Sequence, residues 1–322
     1  MKDLQELLNK VNKAKTYQDI FDINPAEKVK DRLDQLAVDP ETVEKKHTYD
    51  RVGLERLMGV NNLMDVSFFR KGWEVAQTVC RIIYMRGQQK NALGTGFMVS
   101  PCLMMTNNHV IGSRFSAKRL FAEFDYENDD KGKIRDSHLF QFDPEAFFIT
   151  NIELDYSIVA VNPLANNDPK KKLTDYGHNL LSNTQDRVLA GEPVSIIQHP
   201  KGLPKMIAIR ENKVIKVDSP FIHYTTDTES GSSGSLVAND QWEIIALHRA
   251  SVPERDGAGN KLLRKGGVHR DKADEPFINW IANEGVLIDC ILEDVKSRRL
   301  EGEERERLRG ELLVGFRAKG SQ

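Results

Sequence analysis

Two periodicities divide the chain. From Met1 to about Leu63 apolar residues recur at three and four positions, as in Leu4, Leu7, Leu8 and Val11 and again in Val29, Leu33 and Leu36, which is the stripe of amphipathic helices. Asn24-Pro25 ahead of the second stripe supplies an N-cap and a proline at the first helical position. Beyond Trp73 the register changes to short β-rich runs: 78–85, 97–100, 120–126, 158–161, 194–198, 206–217 and 242–248. Separated by Gly, Pro, Asn and Asp clusters, such runs predict an antiparallel β protein. Residues 275–283 return to helical spacing and predict a terminal helix packed on the β core. After them 13 of the 19 residues from Glu293 to Glu311 are charged, six basic and seven acidic, which reads as a solvated helix or frayed tail and not as a binding patch. The expected organisation is a helical regulatory or docking module over 1–63, a β domain over 64–285 and a charged helical tail over 286–322.

Composition narrows the class. The 322 residues carry a formal net charge of −2 with 29% charged side chains, which argues against a nucleic-acid footprint. Apolar runs such as 158–161 and 244–247 fall far short of the ~18 residues of a membrane span. The first ten residues interleave charges with leucines and lack the apolar core of an export signal. Cys80, Cys102 and Cys290 are odd in number and far apart, so they read as small apolar fillers in a reducing compartment, and a cytoplasmic location is expected. His138, His178, His223 and His269 show no metal-ligand spacing, so neither metal nor cofactor is expected.

The chemistry concentrates in three places. A serine hydroxyl is nearly inert at neutral pH and needs an imidazole base held by a carboxylate. His109 follows the apolar run and polar step of Leu103-Met104-Met105-Thr106-Asn107-Asn108, and Asp155 stands at the mouth of the apolar run 156–161. Asp143 and Asp125 are the alternatives to Asp155. Gly231-Ser232-Ser233-Gly234-Ser235 places a serine on a glycine turn; Ser230, Ser232 and Ser235 compete, but only Ser233 has glycines at both −2 and +1. The order His, Asp, Ser, with steps of 46 and 78 residues, differs from that of subtilisins and α/β-hydrolases.

Gly94-Thr95-Gly96-Phe97, Thr106-Asn107-Asn108-His109-Val110, Leu154-Asp155-Tyr156-Ser157 and Gly231-Ser232-Ser233-Gly234-Ser235 together resemble a bacterial trypsin-like serine peptidase of the glutamyl-endopeptidase type, over roughly residues 65–285. The resemblance implies a mainly β, chymotrypsin-like double β-barrel with a small N-terminal helical module and a C-terminal helix. It implies a serine endopeptidase with His109 as base, Asp155 as its orienter and Ser233 as nucleophile, and the Gly231 and Ser233 amides as oxyanion hole. Thr228 and His248 match positions that line the specificity pocket, implying cleavage of a protein or peptide after Glu or Gln. Arg249 would reinforce an acidic preference if it faced inward, although strand alternation predicts that it points away. Ser232 stands where digestive relatives carry the aspartate that pairs with a freed N-terminus, so activation by that ion pair is unavailable. The alternative is an autoinhibited or silent trypsin-like domain that binds peptides without turnover.

Overall fold

A computed structural model describes residues 2–14, 17–35, 64–183, 188–209 and 211–316. The first β unit comprises β1 (Val79–Arg86), β2 (Gln89–Met98), β3 (Leu103–Thr106), β4 (Leu120–Phe124), β5 (His138–Asn151) and β6 (Tyr156–Val161), closed into a barrel in the order β1-β2-β3-β6-β5-β4. Its interior is apolar, with Ile82, Met98, Met104, Phe124, Phe140 and Val159 buried together. Closure leaves no free edge, so every strand has a partner on both sides.

The second unit is a seven-stranded antiparallel sheet in the order β8-β7-β11-β12-β13-β10-β9. These strands are β7 (Ser195–Gln198), β8 (Met206–Ala208), β9 (Val214–Asp218), β10 (Phe221–Tyr224), β11 (Leu236–Ala238), β12 (Ile244–Pro253) and β13 (Trp280–Leu287). Gly191 N–H donates to Val214 O at 2.7 Å and Val194 N–H to Asn212 O at 3.1 Å. These bonds join the segment before β7 to the start of β9, so the sheet curls back on itself. The fold is the mainly β, chymotrypsin-like pair of β units that the resemblance implied, with helices at both ends.

The helical prefix contributes α1 (Lys2–Lys13), α2 (Tyr17–Ile23) and α3 (Ala26–Gln35); the rest of the stretch expected to be helical, residues 36–63, lies outside the described residues. The three helices lie on the second sheet. Leu4 packs with Ile215 and Ala282, and Ile20, Val29 and Leu33 with Leu189. Asn24 exchanges two 2.9 Å hydrogen bonds with the Ala190 backbone, and Arg32 meets Glu192 at 2.8 Å with both side chains buried. Burial pushes the Glu192 carboxyl up to about 7 against the pull of Arg32.

Four further α-helices follow among the described residues: α4 (Ser67–Gln77), α5 (Arg114–Ala117), α6 (Ile288–Ser297) and α7 (Glu303–Leu312). One expectation needs correction and another narrows. Residues 275–283 are not a helix: a 3-10 turn over Lys272–Phe277 leads into β13, which is hydrogen-bonded to β12 on one side and β10 on the other. A short apolar run fits either period, and two flanking ladders decide for the strand. Of the two readings of the charged stretch from Glu293 the helix holds, in α6 and α7, and the frayed tail does not, because Ile291, Leu292, Val295, Leu308 and Leu312 join the core shared by the two units. Its charges stay outside in close pairs such as Glu304–Arg307.

Candidate active site

The candidate base and acid both belong to the first barrel. After β3 the chain turns tightly, with Val110 and Ile111 amides donating to Asn107 O at 3.2 and 3.1 Å, and this turn presents His109. Asp155, just before β6, has a φ of +48°, a left-handed conformation that aspartate tolerates better than most residues. It is held there from both ends. Asn107 Nδ2 donates to Asp155 O at 2.9 Å, and the His109 amide donates to Asp155 Oδ1 at 3.1 Å. The His109 ring closes the clamp, Nδ1 lying 2.8 Å from Oδ2 and 3.1 Å from Oδ1. Asp155 is largely buried while the His109 side chain is 48% exposed, so the ring's outer edge is open to a reactant. The alternative acids are engaged elsewhere: Asp125 accepts from His138 Nδ1 at 2.9 Å and Tyr176 OH at 2.6 Å, and Asp143 accepts the Glu145 and Ala146 amides.

The serine loop comes from the second unit and is tied across the seam to β2. Thr95 N–H donates to Ser233 O at 2.8 Å and Thr95 Oγ1 to Gly231 O at 2.9 Å, while the same hydroxyl accepts the His199 amide at 3.1 Å. Gly234, at φ +87°, sits so close to β2 that a Cβ would lie 2.0 Å from Thr95 O. Gly231, at φ +95°, would place a Cβ 2.8 Å from His199 O. The glycines on either side of Ser233 are therefore demanded by conformation and by space. Ser232 is fully buried, and its Oγ accepts the Glu229 amide at 3.1 Å. A hydroxyl thus holds the turn locally at the position where an activating aspartate would stand.

The loop's amides divide cleanly. Ser232, Gly234 and Ser235 donate to Glu229 O, His248 O and Ser232 O at 3.0 to 3.1 Å, whereas among the described residues the amides of Gly231 and Ser233 meet no backbone acceptor. Among the described residues no hydrogen bond joins Ser233 Oγ to the His109 ring. Contacts of this kind are often long in unliganded enzymes and tighten with substrate.

His248 lies beside the loop, its backbone accepting from Gly234 N–H at 3.1 Å and donating to Ser235 O at 2.9 Å. His248 is buried, and Nδ1 meets Tyr224 OH at 2.7 Å. Burial, reinforced by the nearby His109, lowers the His248 imidazole to about 4. Thr228 Oγ1 donates to Asn283 Oδ1 at 2.6 Å. Arg249 stands at a bulge, and its guanidinium pairs with Glu284 at 3.3 Å and covers the Phe221 ring, so its charge is spent on that pair. Thr95, Tyr224 and Asn283 went unassigned in the sequence. Thr95 stands inside a quoted motif and could have been flagged, whereas nothing local marks Asn283. Among the described residues no cluster of three or more His, Cys, Asp or Glu could hold a metal ion, and no helix is long and apolar enough to cross a membrane.

Comparison with known proteins gives a match over part of the chain. Residues 94–247 match the trypsin-like peptidase domain. An uncharacterized protein, y4fB, of Sinorhizobium fredii (strain NBRC 101917 / NGR234) is 33% identical, the alignment covering 76% of this chain and 39% of the relative. The chain therefore spans about two fifths of that relative's length. Among solved structures, the active form of the Rv3671c protease from M. tuberculosis aligns with a TM-score of 0.45 at 14% identity, covering 74% of this chain and 90% of that one. The HtrA-type protease AlgW with tripeptide aligns equally, at 0.45 and 14%, covering 72% of this chain and 63% of that one. The span that matches the trypsin-like peptidase domain, residues 94–247, contains His109, Asp155 and Ser233.

Proposed function

We propose that the chain is a cytoplasmic serine endopeptidase in which Ser233 attacks the scissile carbonyl, His109 serves as base and then acid, and Asp155 orients and stabilises the imidazole. The observation that carries this reading is the His109–Asp155 clamp at 2.8 Å, set in the same seam to which Thr95 ties the Ser233 loop. With Nδ1 committed to the carboxylate, Nε2 is the nitrogen that takes the hydroxyl proton and returns it to the leaving amine. The acyl-enzyme is then opened by water along the same proton route. The uncommitted amides of Gly231 and Ser233 suit them to the developing oxyanion, where one donor is worth about 2.7 to 4 kcal/mol in comparable enzymes.

Thr228 and His248 form the specificity pocket in this reading, with Glu or Gln before the scissile bond. The helical prefix acts as a regulatory module through the Arg32–Glu192 pair that braces the second sheet. The rival reading, a resting or silent domain that binds peptides without cutting, draws support from the missing Ser233–His109 bond. Labelling with a fluorophosphonate separates the two. Modification of Ser233 that is lost in Ser233→Ala and kept in Ser232→Ala and Ser235→Ala is expected, with peptide hydrolysis falling about 10⁶-fold in Ser233→Ala; an unlabelled intact protein sinks the peptidase reading.

A further inference from the structure

We propose that the pocket beside Ser233 selects a carboxamide over a carboxylate, so that cleavage follows glutamine or asparagine in preference to glutamate, with Asn283 as the residue that sets this choice. The inference rests on the peptidase reading above and concerns the same site.

The pocket wall is one face of the sheet. His248 is opposite Gly285 and Ser251 is opposite Asn283 on β13, with the bulge at Arg249 absorbed between them. Tyr224 on β10 is opposite Asn283 from the other side. Gly285 and Asn283 are two residues apart, and side chains two apart on a strand share a face. His248, Ser251, Asn283 and Tyr224 therefore look the same way, and Thr228 joins them by its contacts with Ser251 at 3.4 Å and Asn283 at 2.6 Å.

Proton counting then fixes what this wall offers. Asn283 is buried, and its Nδ2 donates to Thr226 O at 2.7 Å. A carbonyl oxygen only accepts, so the amide group of Asn283 has one orientation, with Oδ1 toward the hydroxyls. Thr228 Oγ1 donates to that Oδ1 at 2.6 Å and Ser251 Oγ donates to it at 3.0 Å. Each hydroxyl owns a single proton. Both are spent on Asn283, so each oxygen has only lone pairs left to offer a ligand.

His248 supplies the opposite polarity. Tyr224 is fully buried, burial holds its phenol protonated, and its one partner among the described residues is His248 Nδ1 at 2.7 Å. A buried O–H seeks an acceptor, so Nδ1 accepts and the ring proton sits on Nε2. The imidazole is neutral near pH 7, its pKa lowered to about 4 by burial and by His109. The wall thus presents one N–H donor and two hydroxyl acceptors. A side-chain carboxamide matches this set, its oxygen accepting from His248 and its NH₂ donating to Thr228 and Ser251. A carboxylate brings no proton and would meet lone pairs with lone pairs. Charge points the same way, since Asp227 precedes Thr228 in sequence and the Arg249 guanidinium is paired with Glu284, while Glu229 is balanced by Lys201 at 2.7 Å.

A peptide mixture derived from a digested proteome, incubated with the full chain and read by mass spectrometry, gives the residue before each cut. Glutamine and asparagine are expected to exceed glutamate by about tenfold or more, because a site built around buried polar groups rejects the analogue that leaves them unpaired. Thr228→Val removes an acceptor and should lower the ratio of glutamine to glutamate cleavage several-fold. If Thr228 instead donated to a carboxylate, the glutamate rate would fall. Asn283→Ala frees both hydroxyl protons and should narrow the ratio several-fold, with circular dichroism checking that the variant folds. Equal or greater cleavage after glutamate by a protein whose Ser233 is labelled overturns the inference and leaves the peptidase reading standing, as does labelling with cuts after other residues. Absence of both labelling and cleavage removes the reading and the inference with it.

Discussion

His109 of the first barrel and His199 and His248 of the second unit are held in opposite ways, although His223 on β10 pairs with Glu284 at 3.0 Å as the barrel histidines pair with their carboxylates. In the barrel His109 is half exposed and clamped to a carboxylate, and His138 likewise faces Asp125 at 2.9 Å. In the sheet His199 and His248 are buried, and burial lowers them to about 3 and about 4. A base must change charge during a reaction, so it needs an acid beside it and room for a reactant. A recognition element must keep a fixed pattern of donors, so it is better held where protonation is suppressed. In the proposed reading this division places proton transfer on one unit and substrate reading on the other, with the serine loop at the seam between them.

The largest test of this division is Asp155→Asn. The clamp is internal to the barrel, so the substitution should lower hydrolysis about 10⁴-fold, the size seen when a triad loses its orienting acid. Hydrogen exchange in the second sheet should stay unchanged, and a loss of protection there would show that the units are not separable in this way. Acid provides the next test. A buried imidazole with a lowered folded-state pKa binds fewer protons than the unfolded chain, so its stabilisation is complete above about pH 6.5 and drains away as pH falls toward about 4 for His248 and about 3 for His199. At about 1.4 kcal/mol per pH unit this amounts to about 3 kcal/mol for His248 and about 5 kcal/mol for His199. Exchange protection measured from pH 7 to 4 should therefore fail in the sheet before the barrel; simultaneous failure would contradict the comparison. The smallest effect expected is that of Thr95→Val at the seam. It deprives Gly231 O and the His199 amide of their partner, at about 1 to 3 kcal/mol. Fluorophosphonate labelling should slow while the pH dependence of the surviving activity stays put, since the His109–Asp155 pair is not touched; Thr95→Ser should restore the rate.

Much of the fold was legible in the chain. The apolar runs gave β1, β4, β6 and β7 nearly to their ends, and the glycines around Ser233 told of a turn whose tightness the packing against Thr95 explains. The 14-residue β5 was not read, because Pro144 and a register shift between Asp143 and Phe148 break its alternation. The run 206–217 predicts one strand where the fold has two, β8 and β9. The stretch 275–283 carried an ambiguous period, and the pairing of β13 with two neighbours resolved it.

The candidate chemistry shows the same boundary more sharply. His109, Asp155 and Ser233 each announce themselves by close neighbours in sequence: a polar step, a strand mouth, a glycine turn. Their residue types and order were determined by the sequence itself, because local backbone geometry is written in local residues. The polarity of the pocket wall was not. Whether Thr228 gives or accepts a proton depends on Asn283, 55 residues away, and whether His248 is a donor depends on Tyr224, 24 residues away. A hydroxyl and a neutral imidazole can play either part, and only the partners brought beside them by strand pairing spend the proton that decides which.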